Sequence, residues 1–72
     1  MLRYYKLFDI LNHRNLKKTD LIEIAGITSP TLAKLSKGKT ITTETIEKIC
    51  RGLNCQPGDI MEYIPDEEPK GY

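Results

Sequence analysis

A punctuated stretch at 17–38 constrains this 72-residue chain more than any other feature. A short segment with Leu21, Ile24 and Ala25 on one side stops at Gly26. Ile27 follows, and then Thr28-Ser29-Pro30, which is a helix start. A Thr or Ser side chain accepts from the free backbone N–H groups there. Pro fits the first turn, where its missing N–H is no loss. Leu32 and Leu35, three apart, give the new helix an inward face, and Gly38 ends it. Two short helices joined by a tight, glycine-containing turn form a helix-turn-helix unit, here expected at about 17–37.

The flanking sequence supplies three more helices. Residues 2–13 place Tyr4, Leu7, Phe8 and Leu11 at the spacing of one helix face, widened by Tyr5 and Ile10. Asn15 is a natural stop, because Asn tolerates the left-handed conformation that closes helices. The second helix, about 17–25, has Asp20 and Glu23 near its start, where the helix dipole favours acids. Thr42 caps a fourth helix with Glu44 in its first turn and Ile46, Ile49, Cys50 and Leu53 facing inward, and Asn54 closes it. Gln56-Pro57-Gly58-Asp59 opens a short fifth helix carrying Ile60 and Met61. The expected fold is all-α, with five helices forming one domain over 1–64 and an acidic, flexible tail over 65–72.

Composition narrows the function. Net charge is only +1, but it is unevenly placed: residues 1–58 carry ten Lys/Arg against five Asp/Glu, and residues 59–72 one Lys against five acids. A basic body followed by an acidic end is a suggestive asymmetry, although acidic ends often only solvate. No apolar run approaches the roughly 20 residues that span a bilayer, and the start lacks the apolar core of a signal peptide. The expected compartment is the cytoplasm. Cys50 and Cys55 are the only cysteines, and His13 stands apart from them. Structural zinc needs four ligands, so no zinc site is expected, and both cysteines are expected as small apolar core residues. One His, scattered carboxylates and no phosphate-cradling glycine loop leave no catalytic constellation. No enzyme activity, cofactor, small-molecule substrate or membrane partner is expected.

The chain resembles the Xre/Cro-type, phage-repressor-like helix-turn-helix family. Leu16, Leu21, Gly26, Ile27, Leu32, Leu35, Gly38, Thr42, Ile46, Ile49, Leu53, Ile60 and Met61 carry the resemblance over about residues 2–64. Lys17-Lys-Thr-Asp-Leu21, Thr31-Leu-Ala-Lys-Leu35 and Asp59-Ile-Met-Glu62 are similar to the small stand-alone bacterial and mobile-element members. The resemblance implies sequence-specific binding of double-stranded DNA by a transcriptional regulator, with repression as its mode. The third helix, about 29–37, would enter the major groove, where each base pair is distinguishable. Ser29, Pro30, Ala33 and Lys34 would then face the bases. Lys34 suits guanine O6 or N7, Ser29 a base or phosphate, and Pro30 and Ala33 a thymine methyl. So lean a surface leaves part of the specificity to DNA shape. Lys17, Lys18, Thr28, Thr31, Lys37, Lys39, Thr42 and Thr43 would contact phosphates, which position the protein without reading sequence. Two residues depart from the family's pattern. Ile22 stands where it usually has Ala, which either opens the helix pair or is repacked, and Lys17 stands where a polar cap is usual.

One recognition helix touches few base pairs, so an inverted-repeat operator bound by a homodimer is expected. Met61, Tyr63 and Ile64 are the candidate dimer surface; they could instead pack back on the first helix. The alternative function is a protein-interaction module, such as the DNA-binding antitoxin of a toxin pair.

Overall fold

The computed structural model describes residues 1–65. In chain order the elements are β1 (Leu2–Arg3), α1 (Tyr5–His13), α2 (Asp20–Ala25), α3 (Ser29–Lys37), α4 (Thr43–Leu53), α5 (Pro57–Ile60) and β2 (Glu62–Tyr63). The five expected helices are present, with the helix-turn-helix formed by α2 and α3. The expected tail falls on residues 66–72, outside the described residues, apart from Pro65.

All five helices contribute to one core. Leu7, Leu11, Leu21, Leu35, Ile49, Leu53 and Ile60 are sealed from solvent, and Tyr4, Ala25 and Ile27 are buried beside them. Tyr4 buries its ring and donates its hydroxyl to the Lys39 carbonyl at 3.2 Å. Burial pushes the Tyr4 phenol above its ordinary pKa. Tyr4→Phe removes one hydrogen bond and leaves the Lys39 carbonyl without this donor. We expect a loss of about 1 kcal/mol in chemical denaturation. An unchanged midpoint would show the bond to be neutral.

Four helices end in the same way. Asn15, Gly26, Gly38 and Asn54 take positive φ. The next N–H then reaches back to a carbonyl five residues earlier: Leu16 to Leu11, Ile27 to Ile22, Lys39 to Lys34 and Cys55 to Cys50. This is the Schellman closure, which commonly brings the two bonded residues' side chains together. It explains Ile22. Rather than being squeezed between helices, Ile22 packs half-buried against the core, bonded through its carbonyl to Ile27.

A close helix approach lies elsewhere, at Gly52. A Cβ on Gly52 would stand 2.6 Å from the Ile24 carbonyl oxygen, so α4 rests almost directly on the α2 backbone. Arg14 adds a second tie, donating from Nη1 to the Leu53 carbonyl at 2.9 Å.

Three expectations need correction. Residues 2 and 3 are not helical: β1 pairs antiparallel with β2, Leu2 opposite Tyr63 and Arg3 opposite Glu62. The ladder continues from Ile64 N–H to the Met1 carbonyl at 2.7 Å. The helix starts only at Tyr5, which is exposed rather than part of the apolar stripe. Likewise α2 begins at Asp20, not 17. Residues 17–19 form a tighter turn, with Asp20 N–H bonded to the Lys17 carbonyl. The Asp20 carboxylate accepts from the Lys17 N–H at 2.8 Å, so the acid supplies the cap that Lys17 lacks. Finally, Cys50 and Cys55 are only half-buried, packed on the core's edge.

Candidate DNA interface

The geometry of α3 follows from its ends. Thr28 has extended backbone, and its hydroxyl accepts from the Thr31 N–H at 3.3 Å and lies 3.0 Å from the Thr31 hydroxyl. Pro30 occupies the first turn, and no acid lies there. The positive end of the helix dipole is thus unopposed by a local carboxylate, which suits an approaching anion. By contrast, α2 carries Asp20 and Glu23 in its first turn and α4 carries Glu44.

Leu35 fixes the rotation of α3 by being sealed into the core, with Leu32 half-buried beside it. At 3.6 residues per turn, Ser29, Pro30, Ala33 and Lys34 fall within an arc of about 140° on the opposite side. All four are exposed, so the expected base-facing residues share one solvent face. Lys37 lies on that arc one turn further along and is exposed too.

Several of the expected phosphate contacts flank this face. Thr31 and Lys34 line a crevice with Thr40, Ile41, Thr42 and Thr45, which sets the start of α4 beside α3. Thr42 caps α4, its hydroxyl accepting from the Thr45 N–H at 3.1 Å. On the other flank, Lys18 shares a crevice with Ser36 and Gly38, so the turn before α2 adjoins the end of α3. Lys18 Nζ sits 4.9 Å from the centre of the Phe8 ring, which restrains the lysine by a cation–π contact. Lys17, Lys18, Thr28, Lys37, Lys39 and Thr42 are exposed, and Thr31 is half-buried. Thr43 is exposed but lines a groove towards α5 instead of the crevice at α3.

Two features escaped sequence reading. The closure of α3 places Lys34 and Lys39 at the two bonded positions whose side chains usually meet as an apolar pair. Two cations there favour an anion between them. The signal was readable, because Lys39 follows Gly38 as Ile27 follows Gly26. Arg3 is the second. It lines the Lys18 crevice, stacks 5.9 Å over Tyr5 and donates to the Lys37 carbonyl at 3.4 Å. Nothing local in the sequence pointed to Arg3, because its placement depends on the ribbon.

Residues 6–66 match the family described as the Cro/C1-type HTH DNA-binding domain. The chain belongs to this family. Among its relatives is the uncharacterized HTH-type transcriptional regulator YozG of Bacillus subtilis (strain 168), 46% identical over 61 residues that cover 82% of this chain and 73% of the relative. The crystal structure of the transcriptional regulator VanUg, Form II, is similar in fold with a TM-score of 0.85. It is 38% identical, with 90% of this chain and 87% of that chain covered. The Cro/C1-type domain therefore accounts for the five-helix order and for the pair α2–α3. Among the described residues, no helix is long and apolar enough to cross a membrane.

Proposed function

We propose that this Cro/C1-type chain is a cytoplasmic transcriptional regulator that binds double-stranded DNA by sequence and represses by occupying its operator. One observation carries the reading: Ser29, Pro30, Ala33 and Lys34 form an exposed face at the acid-free start of a helix whose rotation is fixed by a sealed leucine. Lys34 reads a guanine edge, Ser29 bonds a base or phosphate, and Pro30 and Ala33 offer apolar contact to a thymine methyl. Lys17, Lys18, Lys37 and Lys39 hold phosphates, joined by Thr28, Thr31 and Thr42 around the helix starts. The test is selection from a randomised duplex pool by the purified chain at near-physiological salt. Enrichment of an inverted repeat with half-sites about one helical turn apart supports a dimeric reader. No enrichment by a folded protein overturns the reading.

The proposed dimer surface lies on the ribbon. Tyr63 is 68% exposed, and its cross-strand partner Leu2 is 46% exposed. Met61 and Ile64 are half-buried within their own chain, so Tyr63 and Leu2 replace them at its centre. Together with Met1 and Tyr5 these are the exposed large hydrophobics of the described residues. The same patch suits the second reading, a protein-interaction module with a different partner. Tyr63→Arg is expected to shift the wild-type dimer to monomer in a light-scattering concentration series. Wild type that stays monomeric with and without DNA removes the dimer and favours the second reading.

A further inference from the structure

The groove between α4 and α5 is separate from the DNA face. It is lined by Ile46, Cys50, Cys55, Pro57 and Met61, with Glu47 and Arg51 at its exposed edge. The three sulfurs are the chemistry-bearing groups on its apolar wall. Asn54 in the left-handed conformation brings Cys55 back over Cys50, whose carbonyl accepts from the Cys55 N–H at 3.0 Å. That closure commonly brings the two bonded residues' side chains together, and both line the same groove. Both are half-buried, and Met61 stands at the end of α5 on the same groove.

We propose that Cys50, Cys55 and Met61 form a binding site for a soft monovalent metal ion, with Cu(I) as its ligand. Thiolate and thioether sulfur select Cu(I) over hard cations. Two or three soft donors satisfy this ion, whereas structural zinc wants four ligands. Among the described residues no three His, Cys, Asp or Glu side chains converge as a metal site, so a four-ligand zinc set is not assembled here.

Binding is a proton exchange with no change of oxidation state. Two thiols release two protons, two Cu–S bonds form, and the bis-thiolate complex carries one negative charge. Met61 adds a neutral third donor. Arg14 near Cys55 offsets part of the anionic charge, opposed by the nearby Asp59, while Arg51 on the groove is paired with Glu47.

The test uses the full chain, reduced and under anaerobic conditions, titrated with Cu(I) against bathocuproine disulfonate. One Cu(I) per chain should resist the chelator. Cys50→Ser and Cys55→Ser should each weaken retention by about tenfold or more, and Met61→Leu by a smaller factor. Circular dichroism checks that each variant is folded. If the serine variants fail to fold, copper-edge X-ray absorption on the wild-type complex decides: a shell of two or three sulfurs supports the site. Complete stripping by the chelator overturns it, as does a shell of nitrogen or oxygen. A product two hydrogens lighter, containing a Cys50–Cys55 disulfide and no copper, also overturns it.

Discussion

Replacing Gly52 with valine is expected to remove about 3 kcal/mol or more of stability, the upper end of what overpacking does. A chain of this length has on the order of 4–11 kcal/mol in total, so the change takes a large share. The cause is a clash with backbone. The new Cβ would lie 2.6 Å from the Ile24 carbonyl oxygen and 3.1 Å from its carbon, and neither can rotate aside. Branching at Cβ brings two methyl groups to the same place. The Ile24 Cγ2 atom, 3.0 Å away, can yield, but the carbonyl belongs to the α2 backbone. Either α4 moves out, uncovering Ile49 and Leu53, or α2 tilts and carries the turn into α3 with it. Gly52→Ala is the control. It has the same first clash but gains about 1 kcal/mol of helix propensity, so its loss is smaller and of the same sign. Urea denaturation followed by circular dichroism measures both. A valine variant with the wild-type midpoint would mean that the α2–α4 approach is looser than this geometry.

Gly52 also marks where sequence reading ends. Within the apolar stripe of α4 it looks like a weak point, because glycine lowers helix propensity. Its purpose lies in Ile24, far back in the chain, and no local pattern records that pairing. The ribbon is similar. Leu2 and Arg3 precede an apolar stripe and so read as its first turn, while their partners Tyr63 and Glu62 are about sixty residues away. Pairing them frees Tyr5 from the core and carries Arg3 to the end of α3. Arg14 at the Leu53 carbonyl is a third case, a long side chain reaching across the fold. What was legible is local by nature. Thr28 and Thr42 bond residues three ahead, and Asn15, Gly26, Gly38 and Asn54 set their own φ. The outward face of α3 was legible for the same reason: Leu32 and Leu35 turn it, and Ser29, Pro30, Ala33 and Lys34 are what remains. The flanks of that face were less so, since Thr43 turns towards α5 and Arg3 arrives from the ribbon.

Lys34→Ala should weaken binding to the selected operator by about 10- to 100-fold, the range for removal of one base-edge pairing. The loss should be confined to operators with the base pair that Lys34 reads. Against a duplex changed at that pair, wild type and variant should bind nearly alike, because the discrimination has already gone. Lys18→Ala should behave differently. Its Nζ is steadied over Phe8 beside the end of α3, where the proposed binding mode has it hold a phosphate. A cation removed from a phosphate weakens binding to all sequences by a similar factor and flattens the dependence of log K on log salt by about one for each phosphate no longer neutralised. Measuring both variants on matched and changed duplexes, each across a salt series, separates the roles. A uniform loss for Lys34→Ala with a flatter salt slope would make Lys34 a phosphate anchor. It would move base reading to Ser29, Pro30 and Ala33. These have no cation and only one hydrogen-bonding side chain among them, so the operator would then be selected chiefly through DNA shape.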